Sequence, residues 1–211
     1  MLYLKNNNIL NHLEFYILVI ISIISLIRKK YTLALLFFII IYFLLYFHRN
    51  PEYDTINISK DIFYSPAQGK ILNIEQEHNK IKISIFLSIF DNHTQSIPIE
   101  CKKIDEIYKY GNFYFAQNLD GSDYNQQLIH VLKTEYGIIH IIQYTGFFTR
   151  RIYSLSSKRD KIYKVGDKLG YIRFGSRVDV VLPKNIISKI LVKKDKKIDI
   201  LEPLFVLKKR L

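Results

Sequence analysis

Between Tyr171 and Pro183 the chain reads YIRFGSRVDVVLP, and the pair Gly175-Ser176 interrupts what is otherwise a β-like run. Glycine accepts positive φ and serine hydrogen-bonds locally, so such a pair ordinarily marks a turn or a bulge. Its chemical use depends on what stands beside it. His93, in FDNH, offers an imidazole whose pKa near neutrality suits proton transfer. Asp91, two residues earlier, either orients that loop or caps a turn. Arg150, Arg151, Arg173 and Arg177 carry guanidinium forks of the kind that suit a phosphate. Phosphate loops of the P-loop or GxGxxG type are absent, and so is HExxH. The six histidines lack metal-ligand spacing, and the single cysteine, Cys101, excludes an intrachain disulfide and any multi-cysteine site, so no metal is expected.

These residues need elements to hold them. The 211-residue chain is long enough for one globular domain and an appendage, and its formal charge of +12 favours anionic partners, nucleic acid or acidic lipid. The first fifty residues bear on that choice. Phe15 to Ile27 and Leu33 to Phe47 are apolar on every face and are joined by Arg28, Lys29 and Lys30, which predicts a hydrophobic helical hairpin over residues 1–50. Each run falls short of the roughly 20 residues of a perpendicular span, so the hairpin is expected either to cross twice at its limit or to dip in and return. A nucleic-acid partner is not expected, since the hairpin and the absence of any binding motif argue against it.

From residue 51 to 211 alternating patterns replace continuous apolar runs. Lys70 to Phe90 reads as two period-2 segments around a polar EHN, a β-hairpin. Further strands are predicted over Gly111–Ala116, Gln127–Thr134, Ile138–Tyr144, Arg151–Ser154, Gly170–Phe174 and Val178–Leu182, and a basic edge strand or loop over Lys189–Asp199. The expected fold is mainly β: an all-β sandwich or flattened barrel of hairpins behind the helical hairpin. KVGDKLGYI, Lys164 to Ile172, is similar to the hairpins of biotinyl and lipoyl carriers but has no lysine at its tip, so it is read as hairpin architecture only.

Five separated stretches agree on one family. HRNPEYD (His48–Asp54), SPAQGKI (Ser65–Ile71), IFLSIFDNHTQSIP (Ile85–Pro98), QYTGFFTRRI (Gln143–Ile152) and GYIRFGSRVDVVLP (Gly170–Pro183) follow in order. Together they resemble the short, membrane-associated type of phosphatidylserine decarboxylase proenzyme, and the resemblance runs from the apolar hairpin to Pro183. It implies self-cleavage between Gly175 and Ser176, giving a large chain 1–175 and a small chain 176–211. By the same resemblance Ser176 is the nucleophile and becomes a pyruvoyl cofactor, which condenses with the substrate amine and accepts the electrons released with carbon dioxide. His93 is implied as the acid or base. The four arginines are candidate ligands of the headgroup phosphate by their guanidinium chemistry, with at least two of them expected to be surface or framework charges. The resemblance implies phosphatidylserine in an anionic membrane, on the cytoplasmic face, as the partner. A homo-oligomer is compatible with the sequence.

Two positions depart from the family pattern. Gln68 stands where relatives have an aspartate proposed to support a histidine, and an amide cannot stabilise an imidazolium as a carboxylate does. After His93 the family continues with valine, asparagine and arginine, where this chain has Thr94, Gln95 and Ser96. These departures motivate a second reading: a non-catalytic, membrane-anchored module that binds anionic lipid and stays as one chain.

Overall fold

A computed structural model describes residues 13–47, 49, 58–156, 161–172 and 175–208. Two compact units divide the chain, Met1–Pro51 and Glu52–Leu211. The first is a pair of helices, α1 (Leu13–Ile27) and α2 (Tyr31–Phe47). Between them the chain turns through Lys29 in the left-handed conformation (φ 56°), with Lys29 N–H on the Leu26 carbonyl and Lys30 N–H on the Ser25 carbonyl, both 2.9 Å. Those two bonds close a helix end of the Schellman type in a sequence that offers no glycine for it. Isoleucines and leucines stay exposed along both helices. Among the described residues no helix is long and apolar enough to cross a membrane.

The second unit runs β1 (Ile62–Tyr64), β2 (Gly69–Glu77), β3 (Lys80–Leu87), β4 (Thr94–Ser96), β5 (Cys101–Lys109), the one-turn helix α3 (Leu119–Ser122), β6 (Gln127–Thr134) and β7 (Gly137–Tyr144). It continues with β8 (Ile152–Ser154), β9 (Ile162–Tyr163), β10 (Lys168–Ile172), β11 (Ser176–Pro183), β12 (Ile187–Ile190), β13 (Lys197–Ile198) and β14 (Pro203–Leu207). An eight-stranded antiparallel sheet has the order β13-β2-β3-β11-β7-β6-β5-β9, and two three-stranded sheets have the orders β1-β14-β12 and β4-β10-β8. The sheets do not close into a barrel. All three contribute to one core, in which Ile83, Ile85, Ile141, Val178 and Val180 of the large sheet meet Phe63 and Phe205 of one small sheet and Leu169 and Ile172 of the other. That is the arrangement of a sandwich.

The strand that begins at Ser176 is central. β11 pairs with β3 on one side, from Ser176↔Leu87 to Pro183↔Lys80, and with β7 on the other, from Arg177↔Tyr144 to Val181↔His140. Period-2 alternation puts Ser176 on the face of Val178, Val180 and Leu182, which is the core face, and Arg177 and Asp179 on the opposite one.

Gly111–Ala116 is not a strand. It makes only the isolated bridge Asn112↔Asn125, because the buried Asn125 side chain takes the place of a ladder: its Oδ1 accepts from Tyr114 N–H (2.7 Å) and its Nδ2 donates to the Tyr114 carbonyl (2.8 Å). The Lys189–Asp199 stretch resolves into the end of β12, a loop with Asp195 at φ 68°, and β13. Of the motif His48–Asp54 only Arg49 belongs to the described residues.

Candidate active site

The break between β10 and β11 is where the candidate residues meet. Gly175 sits at φ +62°, the left-handed region that glycine occupies without the steric penalty of a β-carbon. Ser176 opens β11 fully buried, and among the described residues its Oγ has no hydrogen-bond partner. A buried hydroxyl left without a partner costs about 1–3 kcal/mol, so its place in the core asks for another explanation. Arg173 and Phe174, just before the pair, lie outside the described residues.

His93 is buried beside this turn. Its Nε2 accepts the N–H of Gly175 at 3.2 Å, and its Nδ1 lies 2.9 Å from the carbonyl of Asp91. A carbonyl only accepts, so Nδ1 carries the proton and Nε2 keeps the lone pair. The imidazole therefore presents a basic nitrogen to the backbone that leads into Ser176. The loop holding it is closed by Asp91, whose Oδ2 accepts from Ser88 N–H (2.8 Å) and Ser88 Oγ–H (2.7 Å). Asp91 thus does both things the sequence allowed: its side chain caps the turn and its carbonyl orients the histidine. Ile172 N–H, at the end of β10, bonds the His93 carbonyl at 3.1 Å and draws the two sides of the site together.

Gln68 approaches the same loop from the start of β2. Its Oε1 accepts Asn92 N–H at 2.7 Å and its Nε2 donates to the Asp199 carboxylate. The amide thus uses its acceptor and its donor at once, which a carboxylate facing Asp199 could not do.

Gly146, within QYTGFFTRRI, was not singled out by sequence and belongs to the site. A β-carbon there would lie 1.9 Å from the Gly175 carbonyl oxygen and 3.4 Å from Cβ of Ala116. The carbonyl on the Gly175-Ser176 peptide therefore rests directly on the Gly146 backbone. The only advance signal was a glycine between Thr145 and two phenylalanines.

Behind His93 runs a buried polar chain. Gln95 Nε2 donates to the His93 carbonyl (2.8 Å), Gln143 Nε2 to Gln95 Oε1 (2.5 Å), and His130 Nε2 to Gln143 Oε1 (2.7 Å). Burial pushes the His130 pKa below its ordinary value, which keeps the ring neutral and a donor through Nε2. Its Nδ1 faces Glu106 at 3.5 Å. Glu106 in turn accepts from the buried Lys103 ammonium and from Ser154 Oγ (2.5 Å). Burial raises the Glu106 pKa, but the hydrogen bonds from Lys103 and Ser154 and the charge of the Lys103 ammonium outweigh it and hold the carboxyl at about 2. Gly170 of β10 makes room for this chain, since a β-carbon there would come within 2.9 Å of Gln143 Nε2.

Of the four arginines Arg173 lies outside the described residues, and among the other three the buried Arg177 stands apart from the exposed Arg150 and Arg151. Arg177 is fully buried on the far face of β11: its NH1 donates to Ser122 Oγ (2.5 Å), its NH2 pairs with Asp123, its Nε lies 3.0 Å from Asp179, and its Cζ stands 3.9 Å over the Tyr144 ring. Its guanidinium is engaged within the fold by Ser122, Asp123 and Asp179 and is not open to solvent. Burial raises the pKa of its partner Asp179, to about 6, against the pull of the guanidinium. Arg150 and Arg151 are exposed, close behind Gly146 in sequence. Among the described residues no group of three or more His, Cys, Asp or Glu is placed to hold a metal.

Comparison with known proteins adds a name to this geometry. Residues 40–205 match the protein family described as phosphatidylserine decarboxylase. A phosphatidylserine decarboxylase proenzyme of Carboxydothermus hydrogenoformans is 33% identical over 193 residues, 87% of this chain and 89% of that protein. The proenzymes of Desulfotalea psychrophila and Trichlorobacter lovleyi are each 36% identical over 171 residues, covering 79% and 73% of those proteins.

Proposed function

The chain belongs to the phosphatidylserine decarboxylase family, and from that premise we propose that it cuts its own backbone between Gly175 and Ser176, turns Ser176 into a pyruvoyl group, and decarboxylates phosphatidylserine to phosphatidylethanolamine. One observation carries the reading: the buried, unpartnered Ser176 Oγ follows a left-handed glycine, with a histidine lone pair on the N–H of that glycine and a bare backbone against its carbonyl.

Each part has a chemical task. Ser176 Oγ attacks the Gly175 carbonyl carbon, the C–N bond breaks, and the peptide becomes an ester with a free amine on residue 176. His93 Nε2, released from Gly175 N–H, is the base assigned to the hydroxyl proton. Loss of the Cα proton then breaks the Cβ–O bond, Gly175 leaves as a carboxylate, and the remaining dehydroalanine takes up water and loses ammonia. Gly146 lets the carbonyl oxygen sit where no side chain blocks its change from planar to tetrahedral. The pocket fits the product: the hydroxyl has no hydrogen bond to give up, and the strand beyond it is fixed on both sides. Once formed, the pyruvoyl group supplies an electron-accepting carbonyl to the decarboxylation. His93 stays beside it to move protons, and the exposed Arg150 and Arg151 are available to the headgroup phosphate. The apolar helices bring the enzyme to its lipid by lying in or dipping into a membrane surface.

Gln68, the residue that suggested a non-catalytic module, is matched to Asn92 and Asp199 and lends that reading no support. The test is intact mass spectrometry of the purified protein. Two chains divided at Gly175-Ser176, the smaller with a pyruvoyl N-terminus, are expected, and Ser176→Ala should give one folded chain that releases no carbon dioxide from phosphatidylserine. A wild-type chain that stays whole, or an active Ser176→Ala variant, would sink the proposal.

A further inference from the structure

The loop that supplies Gly146 continues straight into two exposed rings. Phe147 and Phe148 are 52% and 69% exposed, and Phe115, at 59%, stacks on Phe147 with centroids 4.7 Å apart and planes 12° from parallel. Phe148 meets Phe147 edge-on at 5.1 Å. Single exposed apolar residues need no explanation, but three rings stacked on each other at the surface do. The cluster is also braced from beneath. Asn125 is buried, holds the Tyr114 backbone next to Phe115, and donates from Nδ2 to the Thr145 carbonyl (2.8 Å), which ties the two ring-bearing segments together.

Cationic groups accompany the rings. Arg150 and Arg151 are exposed, and Arg150 Cζ stands 5.3 Å from the Phe113 ring centre. Neither 111–117, GNFYFAQ, nor 143–152, QYTGFFTRRI, contains an acidic residue. Apolar rings flanked by arginines without acids match a surface of anionic headgroups over acyl chains.

We propose that Phe115, Phe147 and Phe148, with Arg150 and Arg151, are a docking surface through which the β unit itself enters an anionic lipid bilayer. The rings sink to the boundary between headgroups and acyl chains, and the guanidinium groups pair with headgroup phosphates. Since Gly146 touches the Gly175 carbonyl, docking here sets the reaction centre close to the membrane. The choice of a bilayer as occupant rests on the lipid substrate proposed above, whereas the ring cluster and its bracing stand without it.

The chain has no tryptophan, so Phe148→Trp introduces the sole indole into the full-length protein. With phosphatidylglycerol vesicles its emission should shift to the blue and be quenched by lipids brominated on their chains, and phosphatidylcholine vesicles should do this more weakly. Ile138→Trp, at an exposed site on the opposite end of β7, should show neither effect. A second variant, Phe147→Ser with Phe148→Ser, should raise KM for vesicle-borne phosphatidylserine by about tenfold while keeping turnover of a monomeric short-chain substrate. An indole at position 148 that vesicles leave unshifted overturns the proposal, and that result is expected if a protein partner covers the rings instead. The vesicle readout uses a lipid that is not the substrate and works equally in Ser176→Ala. Docking without decarboxylation would therefore sink the catalytic reading alone, and decarboxylation without docking would sink this one alone.

Discussion

Gly146 has no side chain because the Gly175 carbonyl occupies the space one would need. Gly146→Ala must push that carbonyl aside, and an error of about 1 Å in a reacting group costs roughly a hundredfold in rate. The variant should fold and cleave itself about a hundredfold more slowly, which a time course of the two chains on a denaturing gel would measure. Gly175 differs in kind: among the described residues a β-carbon there meets nothing within 4 Å, and its φ of +62° is what favours glycine. Gln68→Glu separates hydrogen bonding from catalysis. It abolishes the donor to Asp199 and sets two carboxylates together, and because Asp199 is exposed the cost should be about 1 kcal/mol and should shrink with added salt. A melting temperature that is unchanged at low salt would contradict the role given to the amide.

β5 shows at the scale of an element how charge can be built into a core. Lys103 is 1% exposed, and its ammonium is taken up by Glu106, Ser154 and the Ser156 carbonyl (2.6 Å). Glu106 is held at about 2 against an ordinary 4.5, so its ionised form stabilises the fold above pH 4.5. That contribution is lost as pH falls from about 4.5 towards 2. In acid titrations of stability Glu106→Gln should flatten this limb, and a wild-type profile that it reproduces would remove Glu106 from the account. The charges also explain why the strand was hard to read: CKKIDEIYK shows no apolar alternation, whereas β2, β3, β6, β7 and β11 carried period-2 patterns that placed them. β1 and β4, at three residues each, are too short for a pattern, and β14 opens on a proline. Gly175, Ser176 and His93 were legible as candidates through their motifs, and the fold brings the three to one turn. The supporting chain was not, because Gln143 and His130 are polar side chains on the face of β7 and β6 that they share with Ile141 and Leu132, and no local pattern marks them as partners.

Over the whole molecule, the proposed cut falls at the start of a strand paired on both sides and not in an open loop. Residues 176–211 supply β11 to the middle of the large sheet, β13 to its end, and β14 and β12 to a small sheet. The two chains should therefore co-elute in native size exclusion after cleavage and part only in denaturant, and a small chain that dissociates under native conditions would refute the topology. The enclosure of β11 also sets an order of events. The turn at Gly175 takes shape only when β3 and β7 have closed on either side, so a nascent or misfolded chain lacks the geometry to cut itself. Under the proposed self-cleavage, an amine-reactive carbonyl is thus never made on a chain that has failed to fold, and the fraction of molecules found in two pieces would be a running count of those that folded.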